Sequence, residues 1–328
     1  MTYSDLHPHA QPYKKPVLTR TGAVSADAIA TYKKLLADFV DEKSKQIIIY
    51  NESGRSQRAF DILYEVYLSY QAHDDLAFKS VISALINHNN YDSATKKWTR
   101  TLTQVNESLG KLPSNKKMPS TSWAINASDC ITGSKLHQVE NSTCSDCYAL
   151  KGSFTWPNTI TANDRRKVAF DDNPLEWTLN FIEYLARSKK FQSAPYHRWF
   201  GSGDLQSLRM LQAIHLVSIL TGGSHWLPTR EHKIVRQFNT ELGDWNRQKS
   251  EHLTIRVSAP MKNQITKSRV SHNTSSVHLA EEFKVLPRYD GQTGIVTVKC
   301  LADQNKGQCG TCRECWQESV ENVTYKSH

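Results

Sequence analysis

No stretch of the 328-residue sequence carries the roughly 18 consecutive apolar residues of a membrane-spanning helix. No positively charged then apolar leader is seen either. Both absences lead to the expectation of a cytoplasmic protein with no membrane partner. Runs of five or more like charges are missing as well, so the formal net charge of +9 is scattered, as in Asp41-Glu42-Lys43-Ser44-Lys45. There is no GxxxxGK[ST] loop, Gly201-Ser202-Gly203 lacks the third glycine of a dinucleotide fingerprint, and neither His225 nor His232 stands in an HExxH frame. P-loop nucleotide hydrolysis, dinucleotide binding of the usual kind and zinc peptidase chemistry are thereby excluded.

What the sequence does have is cysteine in two sets: Cys130, Cys144 and Cys147, then Cys300, Cys309, Cys312 and Cys315. An odd count of seven with CxxC spacings fits a reducing compartment, where thiols serve metals or catalysis more often than crosslinks. Three thiolates can hold a four-iron cluster with one iron left open, whereas four close the coordination shell. The Cys144-Ser-Asp-Cys147 turn presents two sulfurs to one centre, and Cys130 can fold back to join them. In the second set, Cys309, Cys312 and Cys315 follow at three-residue intervals, with eight residues between Cys300 and Cys309. This resembles ferredoxin-type ligation, with a four-cysteine zinc site as the alternative. Unligated thiols are the plain alternative for both sets.

The texture along the chain divides it into three. Residues 1–118 read as an extended arm, with Pro8, Pro12 and Pro16, followed by helices. Ala28, Ile29, Tyr32, Leu35, Leu36 and Phe39 mark one stripe; Phe60, Ile62, Leu63, Val66, Tyr67 and Tyr70 mark a second; Leu76 to Ile86 marks a third. The run Ile47-Ile48-Ile49-Tyr50 reads as a strand or buried connector, and a fourth helix is expected over Ser93 to Leu109.

Residues 119–299 alternate short strands and helices. Strands are expected at Thr121–Asn126, Tyr196–Phe200, His225–Leu227, Leu253–Ser258, Val277–Leu279 and Ile295–Val298; helices at Pro174–Ser188, Leu205–Leu220 and Arg230–Leu242. That alternation defines an α/β fold with a parallel sheet, open or closed into a partial or full TIM-like barrel. Residues 300–328 form a cysteine-rich metal-binding tail. Functional side chains then belong at the carboxyl ends of strands, where the central cysteines, Asp204 and Arg230 fall.

Gly201, Ser202, Gly203 and Asp204 follow a strand and allow close backbone approach to a ligand, with Asp204 suited to an ammonium group or to capping the next helix. Arg165, Arg166, Arg230, Glu231 and Arg256 are further polar candidates, the arginines as anion contacts. The positive balance makes nucleic acid or a nucleotide the candidate partner.

The blocks Cys144-Ser-Asp-Cys147-Tyr-Ala-Leu-Lys-Gly152, Trp156-Pro-Asn-Thr159, Arg165-Arg166, Arg198-Trp199 to Gly203-Asp204, His225-Trp-Leu-Pro-Thr-Arg-Glu231 and Cys309-Gly-Thr-Cys312-Arg-Glu-Cys315-Trp316 occur in order. With Ser319-Val320 and Tyr325-Lys-Ser-His328 they are similar to the bacteriophage gene product 88 family, from about Thr121 onward. The resemblance implies a phage protein acting in the cytoplasm of the infected host. More distantly, the cysteine-rich strand and loop resemble radical S-adenosylmethionine enzymes, although thirteen residues separate Cys130 from Cys144. That resemblance implies a [4Fe-4S] cluster on Cys130, Cys144 and Cys147, S-adenosylmethionine as cosubstrate near Gly201 to Asp204, and an auxiliary [4Fe-4S] cluster on the terminal four.

Overall fold

The computed structural model describes residues 26–70, 75–92, 94–95, 97–115, 117–247, 252–265, 267–290 and 295–327. The proline-rich arm lies outside them. Helices α1 (Ala26–Glu52), α2 (Ser56–Tyr70) and α3 (Asp75–Asn90) pack together. In α2 the apolar side chains Phe60, Leu63, Tyr64 and Tyr67 recur at three- and four-residue spacing and all are buried, which is how a helix turns one face to a core. The isoleucine run belongs to α1 rather than to a strand or connector. Ile47 is fully buried and Ile49, two residues on, is 64% exposed, the rotation of a helix overriding β-branched preference.

The helix expected over Ser93 to Leu109 is also shorter. Asp92 accepts from the Ala94 amide (2.9 Å) and the Thr95 hydroxyl (2.6 Å), a side-chain turn that joins β1 (Tyr91–Asp92) to β2 (Lys97–Trp98). Helix α4 (Leu102–Ser108) then starts at Thr101, with Gln104 completing a capping box.

Eight strands form the main sheet: β3 (Thr121–Ser122), β4 (Tyr196–Arg198), β5 (Ser224–Thr229), β6 (Leu253–Ser258), β7 (Thr274–His278), β8 (Tyr289–Asp290), β9 (Thr297–Lys299) and β10 (Asn322–Lys326). Their order is β3-β4-β5-β6-β7-β10-β9-β8, parallel throughout except for antiparallel β8 and β9. Helices α5 (Ile131–His137), α6 (Pro157–Asp172), α7 (Pro174–Arg187) and α8 (Lys189–Ser193) lie between β3 and β4; α9 (Leu208–Thr221), α10 (His232–Arg247) and α11 (Ala280–Val285) follow later strands. The protein is thus a mixed α/β fold with a mostly parallel sheet. Among the described residues β3 and β8 are its two ends and do not pair with each other, so hydrogen bonding does not close a full barrel.

The terminal cysteines do not form a tail. Their segment leaves the sheet at β9 and returns to it as β10, which fills the position between β7 and β9. A boundary at 299/300 therefore falls between two neighbouring strands of one sheet.

The two sheet faces differ. Register aligns His197, His225 and Leu253 on one face and Arg198, Trp226 and Thr254 on the other. The first face joins the main core, which runs without a break from Ile47 and Phe60 in the N-terminal helices through Trp177, Phe181 and Leu216 to Leu227 and Val257. Trp123, Trp177 and Trp199 are at most 1% exposed there. Each removes about 200 Å² of largely apolar surface from water, worth roughly 5 kcal/mol before ordering costs. The opposite face carries a smaller cluster of Trp226, Val298, Cys315, Trp316, Val320 and Val323. No helix among the described residues is long and apolar enough to cross a membrane.

Candidate metal centres

The central site begins where β3 runs on as extended chain. The amides of Trp123 and Ile125 donate to Arg198 and Ser202 carbonyls, and the Gly201 amide donates back to Trp123 (2.8 Å), so Gly201 to Asp204 lies against the segment leading to Cys130. Gly203 has φ +78°, and a Cβ there would stand 2.3 Å from Ile125 Cγ1 and 3.0 Å from the Ile125 oxygen, so glycine is required by both conformation and space. Cys130 precedes α5. A Cβ added to Gly133, one turn on, would lie 2.8 Å from Cys130 Cβ, 3.6 Å from Cys130 Sγ and 3.7 Å from Cys144 Sγ. The two sulfurs flank that glycine.

The Cys144–Cys147 turn is closed by the Cys147 amide donating to the Cys144 carbonyl (3.2 Å). It is anchored to the carboxyl end of β6: the Thr143 amide and hydroxyl donate to Pro260 and Ala259 carbonyls (both 2.8 Å), and Lys262 Nζ meets Asp146 Oδ2 at 2.6 Å. Burial pushes the Cys130 and Cys144 thiols up. Cys147, Asp204 and Arg230 act electrostatically on both, the arginine in the opposing direction. Cys130 and Cys144 thus stand together on either side of Gly133, with Cys147 near enough to act on both, beside a guanidinium, that of Arg230, whose buried Nε has no hydrogen-bond partner among the described residues.

A carboxylate chain holds this arrangement. Asp204 accepts from the Thr229 hydroxyl (2.6 Å), the Arg230 amide (2.8 Å) and the Leu205 amide (2.8 Å), while burial pushes its carboxyl up to about 6. Glu231, 4% exposed, takes the Thr132 amide on Oε1 (2.7 Å) and the Thr132 hydroxyl on Oε2 (2.8 Å). It thereby fixes the start of α5 two residues after Cys130. Asp204 does not cap the next helix; Ser207 does, accepting from the Met210 amide.

The terminal set lies on the opposite sheet face. The Cys300 amide donates to Thr324 (2.9 Å), and Cys315 Sγ is 3.1 Å from the Tyr325 hydroxyl. Burial raises all four thiols, with Cys315 pushed up to about 12, and electrostatic contacts link Cys300 to Cys309, Cys312 and Cys315. Four arginines face the set. Arg198 and Arg313 act on Cys309, Arg288 reaches Cys312 Sγ at 3.8 Å, and Arg256 acts on Cys315. Cys312 itself donates to Glu314 Oε2 (2.8 Å), and Arg288 pairs with Glu314.

Arg256 is no anion contact. Fully buried, it donates to the carbonyls of Glu314 (2.9 Å), Cys315 (2.9 Å), Gln317 (2.7 Å), Val320 (2.8 Å) and Thr274 (3.3 Å), clamping the cysteine segment onto β6. Arg166 is likewise internal, donating to the Lys111 carbonyl (2.8 Å). Arg165 is exposed on α6.

All seven thiols are free of disulfides, and the donor set fits iron–sulfur ligation in kind. Glu314 already matches Arg288 and Arg256 is spent on carbonyls, while Arg198 and Arg313 face Cys309, where metal-bound thiolates would supply the negative charge. Among the described residues no three His, Cys, Asp or Glu side chains stand close enough to hold a single ion. A lone zinc would need its sulfurs about 2.3 Å from one point; a four-iron cluster takes each thiolate on a different iron and accepts wider spacing.

Sequence reasoning named the seven cysteines, Gly201 to Asp204, Arg230 and Glu231, and the structure brings them to two places. It did not find Thr132, Thr229, Arg198, Arg288 or Tyr325 as site neighbours. Glu231 and Thr132 are 99 residues apart, and no local spacing encodes such a pair.

The fold and these two groups define an α/β protein with two sets of free cysteines. The sequence model of the gene product 88 family matches residues 86–318, and the chain belongs to that family. The match starts within α3, earlier than Thr121, and ends before β10. No curated protein and no solved structure matches the chain.

Proposed function

We propose that this protein carries two [4Fe-4S] clusters, an open one on Cys130, Cys144 and Cys147 and a closed one on Cys300, Cys309, Cys312 and Cys315. It acts in redox or radical chemistry of the radical S-adenosylmethionine type, in the cytoplasm of the phage-infected host. The observation that carries this reading is that Cys130 and Cys144 converge on Gly133, with Cys147 and Arg230 close by, beside parallel strands that follow one another in chain order, the kind of place where (β/α) partial barrels hold their chemistry.

When bound, the open cluster would supply one electron to S-adenosylmethionine. The chain's own residues do the positioning. Arg230 offers a fork to the cosubstrate carboxylate, and Asp204, which accepts from the Arg230 amide, holds the backbone from which that fork extends. Gly201 to Asp204 runs beside the segment leading to Cys130, the side on which the ammonium group would lie. Glu231 and Lys262 fix the two cysteine-bearing loops. The +9 charge makes a nucleotide or nucleic acid the substrate class.

A second reading, a non-catalytic metal-stabilised protein that binds nucleic acid or senses redox state, draws on the terminal four-cysteine set, where zinc is the alternative metal. Titration of anaerobically reconstituted protein with S-adenosylmethionine separates the two. The first reading expects a changed electron paramagnetic resonance signal and reductive cleavage of the cosubstrate; neither change, in protein holding iron, contradicts it.

A further inference from the structure

Cys315 is the most deeply held of the terminal cysteines, and its sulfur meets a hydroxyl rather than another thiol. Tyr325 Oη stands 3.1 Å from Cys315 Sγ. Both partners are fixed. Tyr325 sits in β10, paired with Val277 of β7, and its ring stacks on Trp226 (centroids 6.3 Å, 17° between planes). The Cys315 carbonyl is held by Arg256 Nε at 2.9 Å, and the neighbouring Trp316 indole donates to the His197 carbonyl at 2.9 Å. Trp226, Trp316, Val320 and Val323 pack about the pair, with Cys315 8% exposed and Tyr325 half-buried.

In the free thiol either atom can donate. A metal-bound Cys315 sulfur has no proton, so the phenol becomes the donor, and a hydrogen bond to a cluster sulfur favours the reduced, more negative state. We propose that Tyr325 is a positioning residue that raises the reduction potential of the terminal centre through its hydrogen bond to Cys315. This rests on the reading of the terminal four as an iron–sulfur site.

The test is a redox titration of reconstituted Tyr325→Phe, followed by electron paramagnetic resonance, with iron counted in the same samples. Phenylalanine keeps the ring stack and removes only the hydroxyl. The expected result is a terminal-centre midpoint shifted to lower potential at unchanged iron content, with Tyr196→Phe, a hydroxyl deletion in the same aromatic cluster, leaving the potential where it was. An unshifted midpoint in iron-replete Tyr325→Phe overturns the role of Tyr325, as does an equal shift in both variants. A terminal site that holds zinc, with no reducible centre in the wild type, overturns the underlying reading instead. If Tyr325→Phe loses iron, Tyr325→Trp, which restores a donor on a ring, tells a tuning hydroxyl from a packing one: recovered iron with the wild-type potential supports the proposal, and recovered iron with a lowered potential contradicts it.

Discussion

The central and terminal cysteine sets are built in opposite ways. The central three stand on loops at strand ends, held by long-range side-chain bonds such as Glu231 to Thr132 and Lys262 to Asp146, with one arginine facing them. Of the terminal four, Cys300, Cys309 and Cys315 lie in an apolar cluster on a sheet face and Cys312 beside Glu314 and Arg288, all under a five-carbonyl clamp from Arg256. Exposure does not separate them, since each set has one buried cysteine and the rest half-buried; what differs is the scaffold, loop anchors on one side and a guanidinium clamp on the other.

Acid is the broadest challenge, because it strikes the layer both sites share. Burial pushes His215 and His225 down to about 3, while an unfolded histidine titrates near 6.5. Between those values the unfolded chain binds protons that the folded one refuses, so stability is complete above pH 6.5 and is lost as pH falls. At pH 5 the two together cost on the order of 4 kcal/mol, of which the raised Asp204 carboxyl, binding its proton first in the folded state, offsets about 1 kcal/mol, and the remainder is measurable as a shift in the urea midpoint. If the midpoint is flat from pH 7 to 5, the buried neutral histidines are refuted.

Arg256→Leu discriminates between the sites. It strands five carbonyls, so a loss of more than about 3 kcal/mol is expected, with terminal metal lost before central. Equal loss at both sites would erase the distinction. Glu231→Ala works in the other direction, leaving the Thr132 amide without its carboxylate, at about 1–2 kcal/mol, with central metal weakened and the terminal set intact. The smallest effect on folding belongs to Gly133→Ala. Alanine suits a helix better than glycine by up to about 1 kcal/mol, yet its Cβ falls 2.8 Å from Cys130 Cβ, between two sulfurs. A folded protein with reduced central iron is expected; full iron at both sites would contradict the convergence of Cys130 and Cys144.

The α/β class is readable because β6 alternates apolar and polar residues and α7 carries an apolar stripe. Strand β10 was missed because Asn322-Val-Thr-Tyr-Lys looks like an exposed end until its parallel partners on both sides are known. The isoleucines of α1 were misread for the converse reason, local propensity overruled by a long helix. At the sites, cysteine spacing is local and was legible. Arg256, which looked like an anion contact, is a carbonyl clamp, and only tertiary structure brings Tyr325 to Cys315 or Glu231 to Thr132.

Iron and acid-labile sulfide counting on anaerobically reconstituted protein, wild type beside Cys130→Ser/Cys144→Ser/Cys147→Ser, tests the two-centre account most directly. About eight irons in the wild type and about four in the variant are predicted. Zinc in place of iron, fewer than about four irons in the wild type, or an unchanged count in the variant would contradict it.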